Sequence, residues 1–238
     1  MSSNACLALL LDGPMQSWGH TSRFERRTTA LHPTRSGVIG LIAAAAGVDK
    51  HTAGEAEQLA RFNSLRVTTL ALPRRNRRSK EILMQRLEDY HTVTGIRRAS
   101  GKEDEDATVQ TYRHYLLDAR FGVLLEGPSS LIEEIATALR NPKWGVWLGR
   151  KCCLPASPLL VAPPGDRAAV RAALLQRTGY TGTETEEQFD RVLEVAATDS
   201  GADRIEDAPV AFGAPIGERH APRWIRRVPR SSMINPQS

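Results

Sequence analysis

The sequence predicts an α+β fold, and three observations carry that prediction. Apolar, strand-length runs at Cys6–Leu11, Leu65–Leu72 and Phe121–Glu126 alternate with two helical patterns, Ser36–Ala46 and the stretch from Ser129 or Ser130 to Asn141-Pro142. Turn and stop residues fall where the periodicity changes: Gly13-Pro14, Gly47 and Asn141-Pro142. The resulting order, β-α-β-β-α-β, is that of a ferredoxin-like domain and of RNA-recognition modules.

Each element has its own justification. Strand one, Cys6–Leu11, is continuously apolar, as a buried strand is, and stops at Gly13-Pro14. A polar, arginine-bearing loop with one tryptophan, Trp18, follows. Pro33-Thr34-Arg35-Ser36 then opens a helix that is apolar on nearly every face from Val38 to Ala46. Thr34 or Ser36 can cap its first-turn amides, and Gly47 suits a left-handed stop. Leu65–Leu72, rich in Val, Thr and Leu, is strand two. Tyr112–Leu117 and Phe121–Glu126, separated by Asp118-Ala119-Arg120, read as a hairpin. The second helix has Glu133 placed for a capping box and puts Leu131, Ile132, Ile135, Ala136 and Leu139 on one face. Val146–Lys151 reads as the last short strand.

Two features exceed a minimal version of this fold. Residues 73–110 insert 38 residues where a tight turn would suffice. Ile82, Leu83, Met84, Leu87, Tyr90, Val93, Ile96 and Val109 surround a charged tip there, which predicts a long hairpin arm with an anchored base. The acidic run Glu103–Asp106 reads as a solvated turn. After Pro155 comes an extension with a helix near Asp166–Arg177, a Gly/Thr/Glu-rich loop at Gly179–Glu187, and strands near Arg191–Ala196 and Arg223–Val228. The expected division is residues 1–155 for the domain with its arm at about 73–110, and 156–238 for an extension packed on the same core.

Composition bounds function. At 238 residues and 41% hydrophobic, the chain can bury a proper core. The run Val38–Ala46 is far too short to span a bilayer, and no secretory pattern opens the chain, so a cytoplasmic location without membrane contact is expected. Cys6, Cys152 and Cys153 lack any C-x-x-C spacing, so neither a disulfide framework nor a zinc site is expected, nor any cofactor. Net charge is +5, and 27 of the 32 basic residues are arginine. Arginine suits bidentate phosphate contacts and stacking on bases, although a GC-rich genome gives the same bias. Two basic runs stand out: Arg74, Arg75, Arg77, Arg78 and Lys80, then Arg219, Arg223, Arg226, Arg227 and Arg230.

The stretch from Leu10 to Gly47 places a strand, a cationic loop with an aromatic, and a helix N-terminus side by side. Helix N-terminal amides favour anions, arginine adds phosphate contacts, and tryptophan offers a stacking face for an unpaired base. Arg26, Arg27 and Arg35 are either phosphate contacts or solvated arginines. Trp18, after Met15-Gln16-Ser17, is either a stacking platform or a loop anchor in the core. Arg150-Lys151 after Gly149 reads as a phosphate-facing strand end. Tyr112, Arg113, His114 and Tyr115 alternate faces along a strand, so one pair should face RNA or solvent. His91 and His114 are the histidines flanked by aromatics. No P-loop, H-E-x-x-H, G-x-S-x-G or paired-carboxylate motif is present, and Asp12 and Glu25 stand isolated. Binding rather than turnover is expected.

The strings GPMQSWG at 13–19 and PTRSGVIGLIAAAAG at 33–47 resemble the signature of the CasD family of type I-E CRISPR surveillance complexes (Cascade). Asp89–Val93, Thr108–Ala119 and Trp147–Cys153 extend the resemblance, in family order, over roughly residues 5–160. Asp207-Ala208-Pro209 and Trp224–Val228 fit more loosely. The resemblance implies a non-catalytic subunit that binds and caps the 5′ handle of the CRISPR RNA. Its RNA surface would draw on Met15, Gln16, Ser17, Trp18, Arg26, Arg27, Arg35, Ser36, His91, Arg113, His114, Arg150 and Lys151. It implies a thumb-like arm gripping the RNA through Leu83, Met84, Arg86, Tyr90 and Gln110. The implied partners are the backbone subunit (CasC family) and the large subunit (CasA family), with target DNA met indirectly. The alternative, a metal-independent endoribonuclease that processes repeat RNA, requires an acid–base pair. His114 with Tyr115 comes nearest, and the Lys–His pair of catalytic relatives is not evident.

Overall fold

The computed structural model describes residues 3–19, 25–97, 103–213 and 217–231. The first elements are β1 (Asn4–Asp12), β2 (Met15–Gln16), β3 (Arg26–Arg27), α1 (Arg35–Ala46), α2 (Glu55–Asn63) and β4 (Arg66–Ala71). Then come β5 (Arg74–Arg75), β6 (Glu81–Ile82), β7 (Gln85–Arg97), β8 (Glu103–Leu117), β9 (Arg120–Pro128) and α3 (Ser129–Arg140). The chain continues with α4 (Arg167–Arg177), a 3-10 turn at Glu186–Gln188, β10 (Arg191–Glu194), β11 (Asp203–Ala211) and β12 (Arg219–Val228).

These elements make a mixed α/β fold on mainly antiparallel sheets. The main sheet runs β1-β9-β4-β10-β12-β11, so strands from both halves of the chain share it. β1 explains why: it is apolar on both faces and must be covered twice. Leu7, Leu9 and Leu11 pack with α1, α3 and Phe62 of α2, whereas Cys6, Ala8 and Leu10 pack with Val170, Leu174 and Leu175 of α4. Helices on both sides remove water from both faces of the strand, which is what a continuous apolar run requires.

Local signals are obeyed at α1. Thr34 is the N-cap, its hydroxyl accepting the Gly37 amide at 3.3 Å, and Gly47 ends the helix at φ 74°. Helix α3 buries the five apolar residues expected of it, but Pro128 precedes it with no side-chain cap, so the capping box through Glu133 does not form. Asp166 caps α4, accepting the Ala168 and Ala169 amides.

Three expectations are corrected. First, β8 and β9 are not a hairpin. β9 has β1 on one edge and β4 on the other, so neither edge is free for β8. β8 lies in a second sheet, pairing with β7 on one side and with β2 and β3 on the other, and Asp118, at φ 56°, passes the chain from it into the main sheet. Second, Val146–Lys151 is not a strand. Gly149 sits at φ 94°, with the Ser17 carbonyl oxygen 1.7 Å from where a Cβ would lie, and Leu148 and Cys153 close a turn around it. The free edge of β1 is met instead by residues 159–165, through Leu10 N–H to the Leu159 carbonyl and Cys6 N–H to the Gly165 carbonyl. Pro163 and Pro164 lack amide donors and keep that segment from becoming a regular strand. Third, the acidic run Glu103–Asp106 belongs to β8 rather than a turn.

The arm is a paired ribbon: β7 and β8 run antiparallel from Gln85↔Leu117 to Arg97↔Glu103, with a register shift between Thr94 and Ile96. The charged end of the insertion at 98–102, and loop residues 20–24, lie outside the described residues.

Gly149→Ala should be costly, because a left-handed φ strains any L side chain by about 1–3 kcal/mol and the Ser17 carbonyl cannot easily retreat. We expect the melting temperature to fall by several degrees, roughly 2–4 °C per kcal/mol in a chain of this size. Gly19→Ala, with nothing within 4 Å of the added Cβ, should change it little.

Candidate nucleic-acid interface

The loop and helix start that the sequence singles out fold inward. Gln16, Ser17 and Trp18 are essentially inaccessible to solvent. The Trp18 indole N–H donates to Gln16 Oε1 at 3.0 Å, and the Gln16 amide donates to the Leu11 and Ala119 carbonyls at 3.0 and 2.8 Å. Ser17 Oγ donates to the His114 carbonyl at 3.0 Å. The Trp18 ring lies so close to Gly37 of α1 that an added Cβ there would sit 2.7 Å from it. Trp18 is therefore a core anchor with no face left for a nucleotide, and Gln16 and Ser17 serve the same packing. Met15 is half-buried.

Arg35 is the larger correction. Its guanidinium donates to Asn63 Oδ1 at 3.0 Å and to the Asn63 and Leu65 carbonyls at 2.6 and 2.8 Å, and it ion-pairs with Glu194. Its backbone N–H donates to Asp207 Oδ2 at 2.8 Å. Arg223 completes the cluster, at 2.5 and 2.9 Å from the two Asp207 oxygens and 3.1 Å from Glu194 Oε1. A buried guanidinium needs matched acceptors, and here all of them come from the protein, so Arg35 holds no phosphate. The cleft beside the helix start, about 970 Å³, is lined by Ser36, Gly37 and Arg150 but also by Glu206, Asp207 and Glu218. Carboxylates at that mouth oppose a phosphate where the bare helix N-terminus would favour one.

What the fold presents instead lies across β3, β8 and β7. Arg26, Tyr112 and Tyr90 are register partners in one row over three strands. The Arg26 guanidinium sits 5.0 Å from the Tyr112 ring centre, and the Tyr112 and Tyr90 rings are 5.4 Å apart at 54°. Arg26 and Tyr90 are exposed. By strand alternation Arg86, Glu88, Gln110 and His114 share this face. His91, Arg113 and Tyr115 fall on the other, where Arg150 lies 4.8 Å over the buried Tyr115 ring and donates to the Arg27 carbonyl at 2.8 Å. Lys151 is exposed beside them. Arg150 is thus fixed by packing rather than carried on a strand end.

His114 and His91 are kept apart by that alternation, and His114 Nε2 lies 2.8 Å from Glu88. Tyr115 is raised above its ordinary value, chiefly by burial. Burial also pushes the Cys6 and Cys153 thiols up to about 12, which makes them inert. Leu83 and Met84 precede β7 and line a separate apolar groove of about 460 Å³ with Leu31 and Ile82. Among the described residues no group of three or more His, Cys, Asp or Glu side chains could hold a metal, and no helix is long and apolar enough to cross a membrane.

Sequence reasoning missed α2, β11 and the Asp207–Arg223 partners of Arg35, which are up to 188 positions apart along the chain. It named both tyrosines but not their pairing. Register across a ribbon of this length has no local signal.

Comparison with known proteins locates this architecture. The family model described as CRISPR-associated protein (Cas_Cas5) matches residues 6–227. The CRISPR system Cascade subunit CasD of Escherichia coli (strain K12) is 34% identical over 158 residues, covering 65% of this chain and 69% of its own. A chain of a CRISPR RNA-guided surveillance complex superposes with a TM-score of 0.72 at 30% identity, over 94% of this chain and 90% of that one. A crystal structure described as a Cas protein matches at 0.60 and 27%, over 95% and 98%.

The buried cluster makes two measurable predictions. Arg35→Ala removes a buried partner of Glu194 and orphans the Asn63 and Leu65 carbonyls, while the backbone bond to Asp207 survives. It should cost about 3–5 kcal/mol in urea unfolding, whereas Arg26→Ala should cost about 1 kcal/mol or less. Burial raises the Asp207 carboxyl, but the Arg223 hydrogen bonds and charge and the Arg35 amide outweigh it, holding it below its ordinary value. Its contribution is therefore complete above about pH 4 and lost as pH falls through the lower folded value. Asp207→Asn should flatten the acid limb of stability against pH.

Proposed function

This chain belongs to the CRISPR-associated Cas5 family, and from that premise we propose that it is a non-catalytic RNA-binding subunit of a type I-E, Cascade-type surveillance complex. It caps the 5′ handle of the CRISPR RNA and helps the complex assemble for antiviral defence. The observation that carries this reading is the Arg26–Tyr112–Tyr90 row. A cation stacked on an aromatic pair, exposed at both ends, offers a phosphate contact and a π-face together, which is what an unpaired strand needs.

In this reading the paired strands β1, β9 and β4 with α1 and α3 are the ferredoxin-like platform. The β7–β8 ribbon is the thumb, with Arg86, Tyr90 and Gln110 on the face that closes over RNA. Arg27, Arg113, Arg150 and Lys151 supply further basic character at the ribbon base. Ser36 lies at the cleft mouth, outside the stacking row. The 34% identity to a Cascade subunit and the fit to a chain of an RNA-guided complex support assembly with backbone and large subunits of the CasC and CasA kinds. Target DNA is then met through the assembled complex.

Cleavage is disfavoured by geometry. Metal-free hydrolysis needs a base at the 2′-hydroxyl and an acid at the leaving oxygen, held together. His114 is engaged by Glu88, Tyr115 is buried under Arg150, and the two lie on opposite faces of the ribbon.

Removing one base stack typically costs about 1–3 kcal/mol. Tyr112→Ala in the co-expressed complex should therefore reduce retained RNA and raise its dissociation rate about ten-fold or more. Unaltered retention would refute the stacking row. Purified complex should leave repeat RNA intact with or without divalent metal, whereas single-site cleavage abolished by His114→Ala would establish the endoribonuclease instead.

A further inference from the structure

The basic run Arg74–Lys80 lies off the Arg26–Tyr112–Tyr90 row, on a separate two-stranded sheet, and the fold divides its cations into two sets. Arg74 and Arg75 root a small hairpin. β5 pairs with β6, Arg74 ion-pairs with Asp12 and donates to the Asp118 carbonyl at 3.1 Å, and Arg75 lies 4.5 Å over the Tyr180 ring. Glu81 on the second strand holds Arg230 at 2.7 and 2.8 Å. The turn between is equally fixed. Asn76 Oδ1 accepts the Arg78 and Lys80 amides at 2.9 and 3.0 Å, and Ser79 adopts φ 58°.

The second set sits on that turn. The side chains of Arg77, Arg78 and Lys80 are exposed and have no carboxylate, carbonyl or ring partner among the described residues. Three like charges within four residues repel one another, and the hydrogen-bonded turn keeps their backbone attachment points close together. An extended anion relieves that repulsion. The tip from Asn76 to Lys80 carries no aromatic or apolar side chain, so it lacks the aromatic platform that Tyr90 and Tyr112 form. Three clustered cations without an aromatic platform match phosphates best, as suits a duplex whose bases are already stacked and paired.

We propose that Arg77, Arg78 and Lys80 contact the phosphate backbone of duplex DNA, without regard to sequence, when the complex that carries this subunit meets its target. The proposal rests on the reading of the chain as a subunit of an RNA-guided complex. It concerns a surface separate from the RNA row, on its own two-stranded sheet.

The test uses the complete co-expressed complex carrying Arg77→Ser, Arg78→Ser and Lys80→Ser together. Binding to random-sequence duplex DNA is measured across salt, and bound RNA is quantified in parallel. Each lost phosphate contact lowers the log–log salt slope by about 0.9. Three should therefore shrink the fall in affinity between 50 and 200 mM salt by roughly forty-fold. RNA content should not change, and Arg77→Lys with Arg78→Lys should keep the original slope. An unchanged slope in the triple variant, or no duplex binding by the unmodified complex, overturns the proposal. Loss of RNA or of assembly overturns it too, because the tip would then serve the guide or another subunit. An unmodified complex that retains no RNA would instead sink the reading of the chain as an RNA-binding subunit.

Discussion

The placement of Arg35 is the constraint on which the rest of the molecule depends. Its guanidinium reaches the α2–β4 connection and Glu194 of β10, while its amide holds Asp207 of β11. Arg223 of β12 closes the ring through the same two carboxylates, and Glu194 Oε2 also accepts the Val67 amide at 3.0 Å. A buried cation and a buried anion, each paired with a half-buried partner, resist rearrangement because slippage would strand a charge away from water. That requirement fixes the start of α1 against the strands of the C-terminal half. It explains why β10, β12 and β11 continue the sheet begun by β1, β9 and β4.

A consequence follows for recognition. The helix N-terminus is already served by Thr34 and Asp207, and the neighbouring cleft carries further acidic groups. The start of α1 thus offers an anion little, and the exposed cation-and-aromatic surface lies on the second sheet, where Arg26 and the two tyrosines stand in a row. The Trp18 loop contributes indirectly. By burying its ring against Gly37 and bonding Ser17 to the His114 carbonyl, it ties the base of β8 to α1. The Arg26–Tyr112–Tyr90 row is thus mounted on the core rather than carried by a loop.

Arginine abundance in this chain has two origins that composition cannot separate. Arg35, Arg74, Arg120, Arg167 and Arg223 are used internally, binding carboxylates or carbonyls across elements distant in sequence. Their planar, multiply donating heads suit such bridging as well as they suit phosphate. Arg77, Arg78 and Lys80 are left over from that internal use, and their positions on a rigid turn make them available to an external anion.

Much of the fold was legible in the sequence because its signals are local. A continuous apolar run gave β1, an all-round apolar segment bounded by Thr34 and Gly47 gave α1, and a five-residue apolar face gave α3. The arm was legible as an over-long insertion, and the strings shared with the CasD family were legible in order and spacing. What the tertiary structure alone decided depends on groups far apart in the chain. Asp207 and Glu194 turned Arg35 inward, and the core closed over Trp18. Both edges of β9 were taken, which sent β8 into another sheet, and the register of β7 on β8 brought Tyr90 beside Tyr112. Propensity and periodicity act over a few residues, whereas charge compensation, edge occupancy and register are settled only once distant segments have excluded water between them.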